Sequence, residues 1–365
     1  MKTTAKQTHM KKVAIIGTQG VPAKYGGFET LVENIIGDNC SPNVQYTIIC
    51  SSKDLSEKHN IYKRAILKYI PLHANGIQSI PYDIISILKV IKGYDTILIL
   101  GVSGCIILPI IKLVSKAQLI INIDGLEHRR DKWGKLAKKF LKFSESMAVK
   151  FADIIIADNK GIQNYVSETY HKNSTMIAYG GDHVLRNITP DTENRILEKY
   201  GLKSQNYAIS ICRIEPENNC HIILQAFSLS NKNLIFIGNW DKSDYGRKLK
   251  AQYKLYNNIK IIDPNYDLDT LYILRKHCNL YVHGHSAGGT NPSLVEAMFF
   301  GQPIIAFDVI YNRETTKNQA YYFTDVTTLL TQLEKTDLNG RIMEQIARSE
   351  YSWSYISQQY NMLYK

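Results

Sequence analysis

Short, continuously apolar runs rich in β-branched residues alternate with longer helical patterns along this chain, and that alternation leaves few folds open. KKVAIIG (residues 11–17), VQYTIIC (44–50), DTILILG (95–101), AQLIINIDG (117–125) and ADIIIADN (152–159) read as strands. Residues 29–36, 82–91 and 133–150 read as helices between them. Strands apolar at every position are buried on both faces, so they belong to a parallel sheet covered by helices on each side. The pattern restarts after residue 200, with strands at 207–213, 233–239, 260–265, 279–285 and 302–308 and a helix at 222–229. The polar, turn-rich stretch 180–204 separates the two sets. The expectation is an α/β protein: two Rossmann-like parallel-sheet domains facing a cleft, at 11–182 and 183–345. An aromatic amphipathic helix, 346–365, is expected to cross back to the first domain.

At 365 residues the chain is too long for one ordinary core and suits two. Hydrophobic residues at 44% and charged residues at 21% exclude a disordered chain. The six cysteines, at 40, 50, 105, 212, 220 and 278, form no C-x-x-C pair, which argues against a zinc site and a disulfide framework. MKTTAKQTHM at the start has no apolar core of a signal peptide. The most apolar stretch, 96–114, contains two glycines, a proline and Lys112, so it reads as a buried strand, a turn and a buried helix. The net charge of +11 fits nucleic acid, an anionic membrane surface, a phosphorylated substrate or a generally basic surface.

Ligands of open α/β sheets bind beyond the carboxyl ends of the strands, so the loops there matter most. In GTQGVPAKYGGFETLVENI (17–35), Gly26 and Gly27 stand just before a helix. Glycines there let backbone amides approach an anion, helped by the helix dipole; a plain glycine turn explains them equally well. The spacing matches neither the dinucleotide fingerprint nor the P-loop. In GGTNPSLVEAMFFGQP (288–303) and the residues just before it, a glycine-rich loop offers amides and the hydroxyls of Ser286, Thr290 and Ser293, and Glu296 lies in the first turns of a helix. That carboxylate fits two ribose hydroxyls or simply complements the helix dipole. Arg213 ends the strand YAISICR, where its fork suits a diphosphate.

Together these residues resemble the GT4 glycosyltransferases of GT-B fold. IGTQGVPAKYGGFETLVENI, DGLEHRRDKW, IADNKGI, AYGGD, RIEPENN and GGTNPSLVEAM are similar to a bacterial subgroup that includes rhamnosyltransferases of capsule and cell-wall polysaccharide assembly. The N-terminal domain of that subgroup is family 1972 among domains of unknown function. The resemblance runs from about residue 12 to the last helix. It implies a nucleoside diphosphate sugar donor, retention of anomeric configuration, and no cofactor or required metal. It matches Gly26 and Gly27 to the glycines facing the donor diphosphate and Arg213 to the cationic phosphate contact. Gly289, Thr290 and Asn291 match the amides around the donor sugar and phosphate, and Glu296 the ribose carboxylate. Three positions depart from the family: Asn218 replaces a lysine, Gly288 a glutamate, and Asp124 a histidine.

The leaving diphosphate's charge would then be met by Arg213, by a lysine such as Lys24 or Lys242, and by helix N-termini. Asp124 or Glu127 would orient the acceptor hydroxyl, or serve as a turn and cap in NIDGLEH. In RRDKWGKLAKKFLKFSESMAVK (129–150), Trp133, Leu136, Ala137, Phe140 and Met147 fall near one helical face. Lys135, Lys138, Lys139 and Lys142 lie mostly elsewhere, a pattern that fits an anionic membrane surface or a domain helix with solvated lysines. The reading is therefore an enzyme, a hexosyltransferase-type glycosyltransferase. It moves a hexosyl or deoxyhexosyl group, rhamnosyl favoured, to a lipid-linked saccharide in bacterial surface polysaccharide synthesis. Its expected place is the cytoplasm, peripheral at the inner face of the membrane. The alternatives are a sugar-nucleotide epimerase or a phosphorylase on the same architecture. A nucleic-acid-binding protein is disfavoured because no RNA- or DNA-binding motif is present.

Overall fold

The computed structural model describes residues 10–23, 26–37, 41–123, 125–129 and 133–364. The chain divides into two compact units. One comprises Met1–Ala178 and Trp353–Lys365, the other Tyr179–Ser352.

The first unit runs β1 (Lys11–Ile16), α1 (Gly27–Ile35), β2 (Val44–Ser51), β3 (Ile61–Tyr62), β4 (Ala65–Ile70), α2 (Ser79–Lys89), β5 (Thr96–Leu100), α3 (Leu108–Val114), β6 (Gln118–Asn122), α4 (Lys135–Phe151), β7 (Ile154–Ala157), α5 (Lys160–Tyr170) and β8 (Thr175–Met176). Its sheet has the order β3-β4-β2-β1-β5-β6-β7-β8. Every pairing is parallel except β3 with β4. In the centre Ile15 lies beside Ile48 on one side and Leu98 on the other, and all three are fully buried. The strands β3, β4 and β8 are absent from the sequence reading. The strands β3 and β8 are two residues long, and β4 is interrupted by the exposed Lys68, so none gives a continuous apolar run.

The second unit runs α6 (Pro190–Lys199), β9 (Ala208–Ile211), α7 (Cys220–Ser228), β10 (Leu234–Ile237), α8 (Asp244–Tyr253), β11 (Ile259–Ile262), α9 (Leu268–Lys276), β12 (Leu280–His283), α10 (Pro292–Met298), β13 (Ile304–Phe307), α11 (Ile310–Thr315), β14 (Tyr321–Phe323), α12 (Val326–Leu333) and α13 (Arg341–Glu350). Its sheet, β11-β10-β9-β12-β13-β14, is wholly parallel. Phe227, Phe236, Trp240 and Phe323 anchor the core on one side of it. Side chains set several helix starts: Thr189, Ser243, Asp267 and Asp325 each accept an amide of the first turn.

The last helix, α14 (Trp353–Leu363), follows the second unit in sequence but belongs to the first. It packs against α1. Trp353, Ile356 and Tyr360 are buried, the Lys11 ammonium donates to the Tyr364 carbonyl at 2.6 Å, and the Tyr46 hydroxyl donates to Asn361 Oδ1 at 3.2 Å.

Two expectations about the apolar helices change. The helix α3 is not buried along its length: Ile110, Leu113 and Val114 are 62%, 86% and 55% exposed. The buried face of α4 is Leu141, Ser144, Glu145, Ala148 and Val149, while Leu136 is 84% exposed. The helix is rotated so that a serine and a glutamate face inward, which only specific partners make tolerable.

Buried Asp83 on α2 lies against the turn after β5, with a hydrogen bond to Ser103. Burial raises its carboxyl from the ordinary 3.8 to about 8. The folded state therefore holds a proton that the unfolded chain has lost, and stability falls as pH rises from about 4 to about 8. The melting temperature is expected to drop between pH 5 and pH 8, and Asp83→Asn is expected to flatten that drop. An unchanged pH profile in the variant contradicts the assignment.

Candidate active site

In each sheet, consecutive strands run outward in one direction and then in the other, and the loops diverge at the strand pair where the order reverses. In the first unit that pair is β1 and β5, and in the second it is β9 and β12. The glycine loop before α1 follows β1. Arg213 follows β9, and the loop carrying residues 284–291 follows β12.

In the first unit, Gly17 has φ +89°, and a Cβ there would lie 1.9 Å from the Leu100 carbonyl oxygen of β5. Only glycine lets the two backbones come this close. The loop is then pinned by α1. Glu29 Oε1 accepts the Thr18 hydroxyl at 3.0 Å and the Gln19 amide at 2.8 Å. One turn on, Glu33 accepts the Ala23 amide at 3.0 Å, the Tyr62 hydroxyl at 2.7 Å and the Lys63 ammonium at 2.7 Å. The Tyr82 hydroxyl of α2 donates to the Thr18 carbonyl at 2.8 Å. Burial raises the Glu29 carboxyl above its ordinary value despite those hydrogen bonds. Gly26 is the N-cap of α1, and Gly27 is its first residue. Sequence reasoning missed Glu29 and Glu33; their one signal was an acid at i and i+4 directly after the glycine pair.

After β6, Glu127 begins a short helical turn, Glu127–Arg129. Its Oε1 accepts the Trp133 indole N–H at 2.9 Å. Asp124 and Lys24 lie outside the described residues.

In the second unit the two switch-point loops are joined by hydrogen bonds. The Ser286 amide and hydroxyl both donate to the Glu217 carbonyl at 2.9 Å, and Asn219 Nδ2 donates to the Gly284 carbonyl at 2.9 Å. Asn218, where the resemblance leads one to expect a lysine, is buried. Its Nδ2 donates to the Arg213 carbonyl at 2.8 Å, and its Oδ1 lies 2.7 Å from His285 Nδ1. The exchange removes a cation and adds a strut between the loops. Arg213 is part-exposed and only loosely paired, 3.8 Å from Glu215 and 3.9 Å from Glu217. Its guanidinium is thus available to a stronger anion.

Glu296, in the middle of α10, carries a carboxylate bound by the buried Arg275 guanidinium and lying 3.5 Å from His183 Nε2. Burial alone would raise this carboxyl; Arg275 and His183 outweigh it and hold it below the ordinary glutamate value. It is an ionised acceptor with lone pairs to spare, as a pair of ribose hydroxyls requires. Neither Arg275, at the end of α9, nor His183 has a local sequence signature for this role. Asn291 caps α10, its Oδ1 accepting the Ser293 amide at 3.0 Å. Gly288 has φ +75°, and Thr290 is buried. Lys242 sits on the short turn after β10.

The four lysines of α4 are not equivalent. Lys135 and Lys139 are exposed and Lys138 half-buried. The Lys142 ammonium, in contrast, donates to Glu145 Oε1 at 3.2 Å and to the Tyr165 hydroxyl, and it sits 4.7 Å from the Tyr165 and Tyr170 ring centres.

Gly26 supplies a test of the glycine loop. Its φ is +128°, and a Cβ would fall 1.9 Å from Glu29 Oε2. Gly26→Ala is expected to destabilise the protein by about 1–3 kcal/mol, through strain and through displacement of Glu29. Urea denaturation measures it, and an unchanged midpoint contradicts the account.

Two family models match the chain. Residues 10–182 match the domain of unknown function DUF1972, and residues 192–347 match glycosyl transferases group 1. No curated protein matches it by sequence. Sucrose-phosphate synthase from Thermosynechococcus elongatus is similar in structure, with TM-score 0.79 at 14% identity over 97% of this chain and 98% of that one. Anabaena HepE in complex with UDP and glucose has TM-score 0.73 at 17% identity, over 97% and 99%. The catalytic domain of starch synthase IV from Arabidopsis thaliana, bound to ADP and acarbose, has TM-score 0.72 at 13% identity, over 98% and 99%. With two parallel-sheet units that follow those structures along nearly their whole length, the chain has the GT-B fold, and residues 192–347 of its second unit match the model of the group 1 glycosyl transferases.

Proposed function

We propose that the protein is a retaining glycosyltransferase that moves a hexosyl or deoxyhexosyl group, rhamnosyl favoured, from a nucleoside diphosphate sugar to a lipid-linked saccharide, without a required metal. The observation that carries this reading is the pair of switch-point loops in the second unit. They hold an underpaired arginine, a glycine-rich turn and an ionised carboxylate in one unit. Arg213 and the amides of Gly289, Thr290 and Asn291 take the donor diphosphate and sugar, and Glu296 takes the ribose. Gly26 and Gly27 are phosphate contacts in the same reading. UDP and ADP in the similar structures support a nucleotide donor.

In the reaction the bond from the anomeric carbon to the phosphate oxygen breaks, and the acceptor oxygen bonds to the same face of that carbon. The acceptor proton goes to the leaving phosphate. Charge accumulating on the diphosphate is met by Arg213 and by loop amides, groups whose removal typically costs about 10²–10³ in rate. Asp124 or Glu127 orients the acceptor hydroxyl.

The acceptor's lipid places the protein at an anionic membrane surface. Among the described residues no helix is long and apolar enough to cross a membrane. Support for surface binding comes from α4, which exposes Leu136 and Phe143 on the same helix as the exposed Lys135 and Lys139. Apolar side chains next to lysines suit an anionic lipid interface, each lysine adding about 1 kcal/mol.

Release of nucleoside diphosphate should be measured with dTDP-rhamnose, UDP-glucose, UDP-galactose and GDP-mannose. One donor is expected to dominate, and turnover of none would contradict the proposal. Glu296→Gln is the appropriate variant, because its carboxamide oxygen can still accept from the buried Arg275, whereas Glu296→Ala leaves that guanidinium without the acceptor. It is expected to raise the donor KM at least about 10-fold; a normal KM removes the ribose assignment. Replacing Lys135, Lys138 and Lys139 by glutamine is expected to weaken co-sedimentation with phosphatidylglycerol vesicles, and unchanged binding argues against the membrane reading.

A further inference from the structure

The turn Glu127–Arg129 is held through one buried carboxylate and its part-buried polar partners. His128 Nδ1 lies 2.9 Å from Oε2 of Glu145, a fully buried residue of α4. The other oxygen, Oε1, accepts the Tyr165 and Tyr170 hydroxyls of α5 at 2.6 Å each, along with the Lys142 ammonium. Burial pushes the carboxyl up, but His128, Tyr165 and Tyr170 outweigh it and hold it at about 2. A buried charge of this kind is seldom the most stable way to fill a core, since apolar residues of the same volume serve as well or better. The arrangement fixes one orientation of the turn.

That turn presents Arg129. The side chain is exposed, with Cζ 4.9 Å from the centre of the Tyr165 ring. Tyr165 thus touches both the Glu145 carboxylate and the Arg129 guanidinium. Among the described residues no carboxylate is paired with Arg129. A guanidinium resting on a ring keeps its in-plane N–H donors for a ligand. Glu145 is balanced locally by Lys142, so Arg129 leaves the cluster with a net positive charge.

We propose that Arg129 binds a phosphate group of a substrate, and that Glu145 is a positioning residue that acts through His128 and Tyr165 to hold it in place. The proposal rests on the glycosyl-transfer reading above. The phosphate belongs either to the nucleotide donor or to the lipid diphosphate of the acceptor.

Steady-state kinetics on the full chain, varying donor and acceptor separately, test it. Arg129→Gln is expected to raise one KM by about 10-fold or more, the size of a lost charge-assisted hydrogen bond, with kcat changed less than about threefold and the melting temperature unchanged. A raised acceptor KM identifies the lipid diphosphate, and a raised donor KM the nucleotide. Glu145→Gln is expected to raise the same KM, and the double variant no more than Arg129→Gln alone. If Glu145→Gln does not fold, Tyr165→Phe takes its place, since it removes one donor to Glu145 and keeps the ring under Arg129. Both KM values unchanged in Arg129→Gln overturn the phosphate site; independent, multiplying effects overturn the positioning role. If the wild-type chain transfers no sugar at all, the glycosyl-transfer reading fails separately. Thermal protection by inorganic pyrophosphate then decides this proposal: protection lost in Arg129→Gln supports it, and equal protection overturns it.

Discussion

A parallel strand cannot turn directly into its neighbour; the chain must cross over and re-enter from the same end. Each sheet, taken by itself, therefore gathers the loops that follow its parallel strands at its own carboxyl end, and the strand pairs β1/β5 and β9/β12 mark where those loops part. The crossover leaves loop amides and carbonyls without a ladder to join. Much of the polar architecture of the protein answers that need.

The answers share a form. A side chain from a neighbouring helix, or from the loop itself, reaches back and holds the loop. Glu29 and Glu33 hold the loop after β1, Glu145 the turn after β6, and Asn218 joins the loops after β9 and β12. Glu296 differs, because its partners Arg275 and His183 tune its charge more than they hold backbone. The first group sets the shape of the loops within each unit, whereas Glu296 keeps an ionised acceptor in the second unit. In a buried setting each of these groups is costly unless fully partnered, so the partners matter as much as the named site residues.

Asn218 shows how a departure from a family pattern is read. From the sequence it was a missing lysine. In the structure it is a buried carboxamide linking the Arg213 carbonyl to His285, which leaves Arg213 as the part-exposed cation of that loop. Lys142 makes the opposite point: it looked like one of four equivalent surface lysines, yet its ammonium belongs to the Glu145 cluster.

The sequence by itself determined the fold class and the division into two parallel-sheet halves, because strand and helix periodicities are local and written in consecutive residues. It also marked Gly26, Arg213 and Glu296 by their positions at strand ends and helix starts. Only the tertiary structure decided which face of α4 is buried, that the surface of α3 is left open, and which groups meet Glu145 and Glu296. His128 and Tyr165 approach Glu145 from 17 residues before it and 20 after, and His183 lies more than a hundred residues before Glu296. Contacts over such separations are set by how helices pack on a sheet, and no pattern in neighbouring residues encodes them.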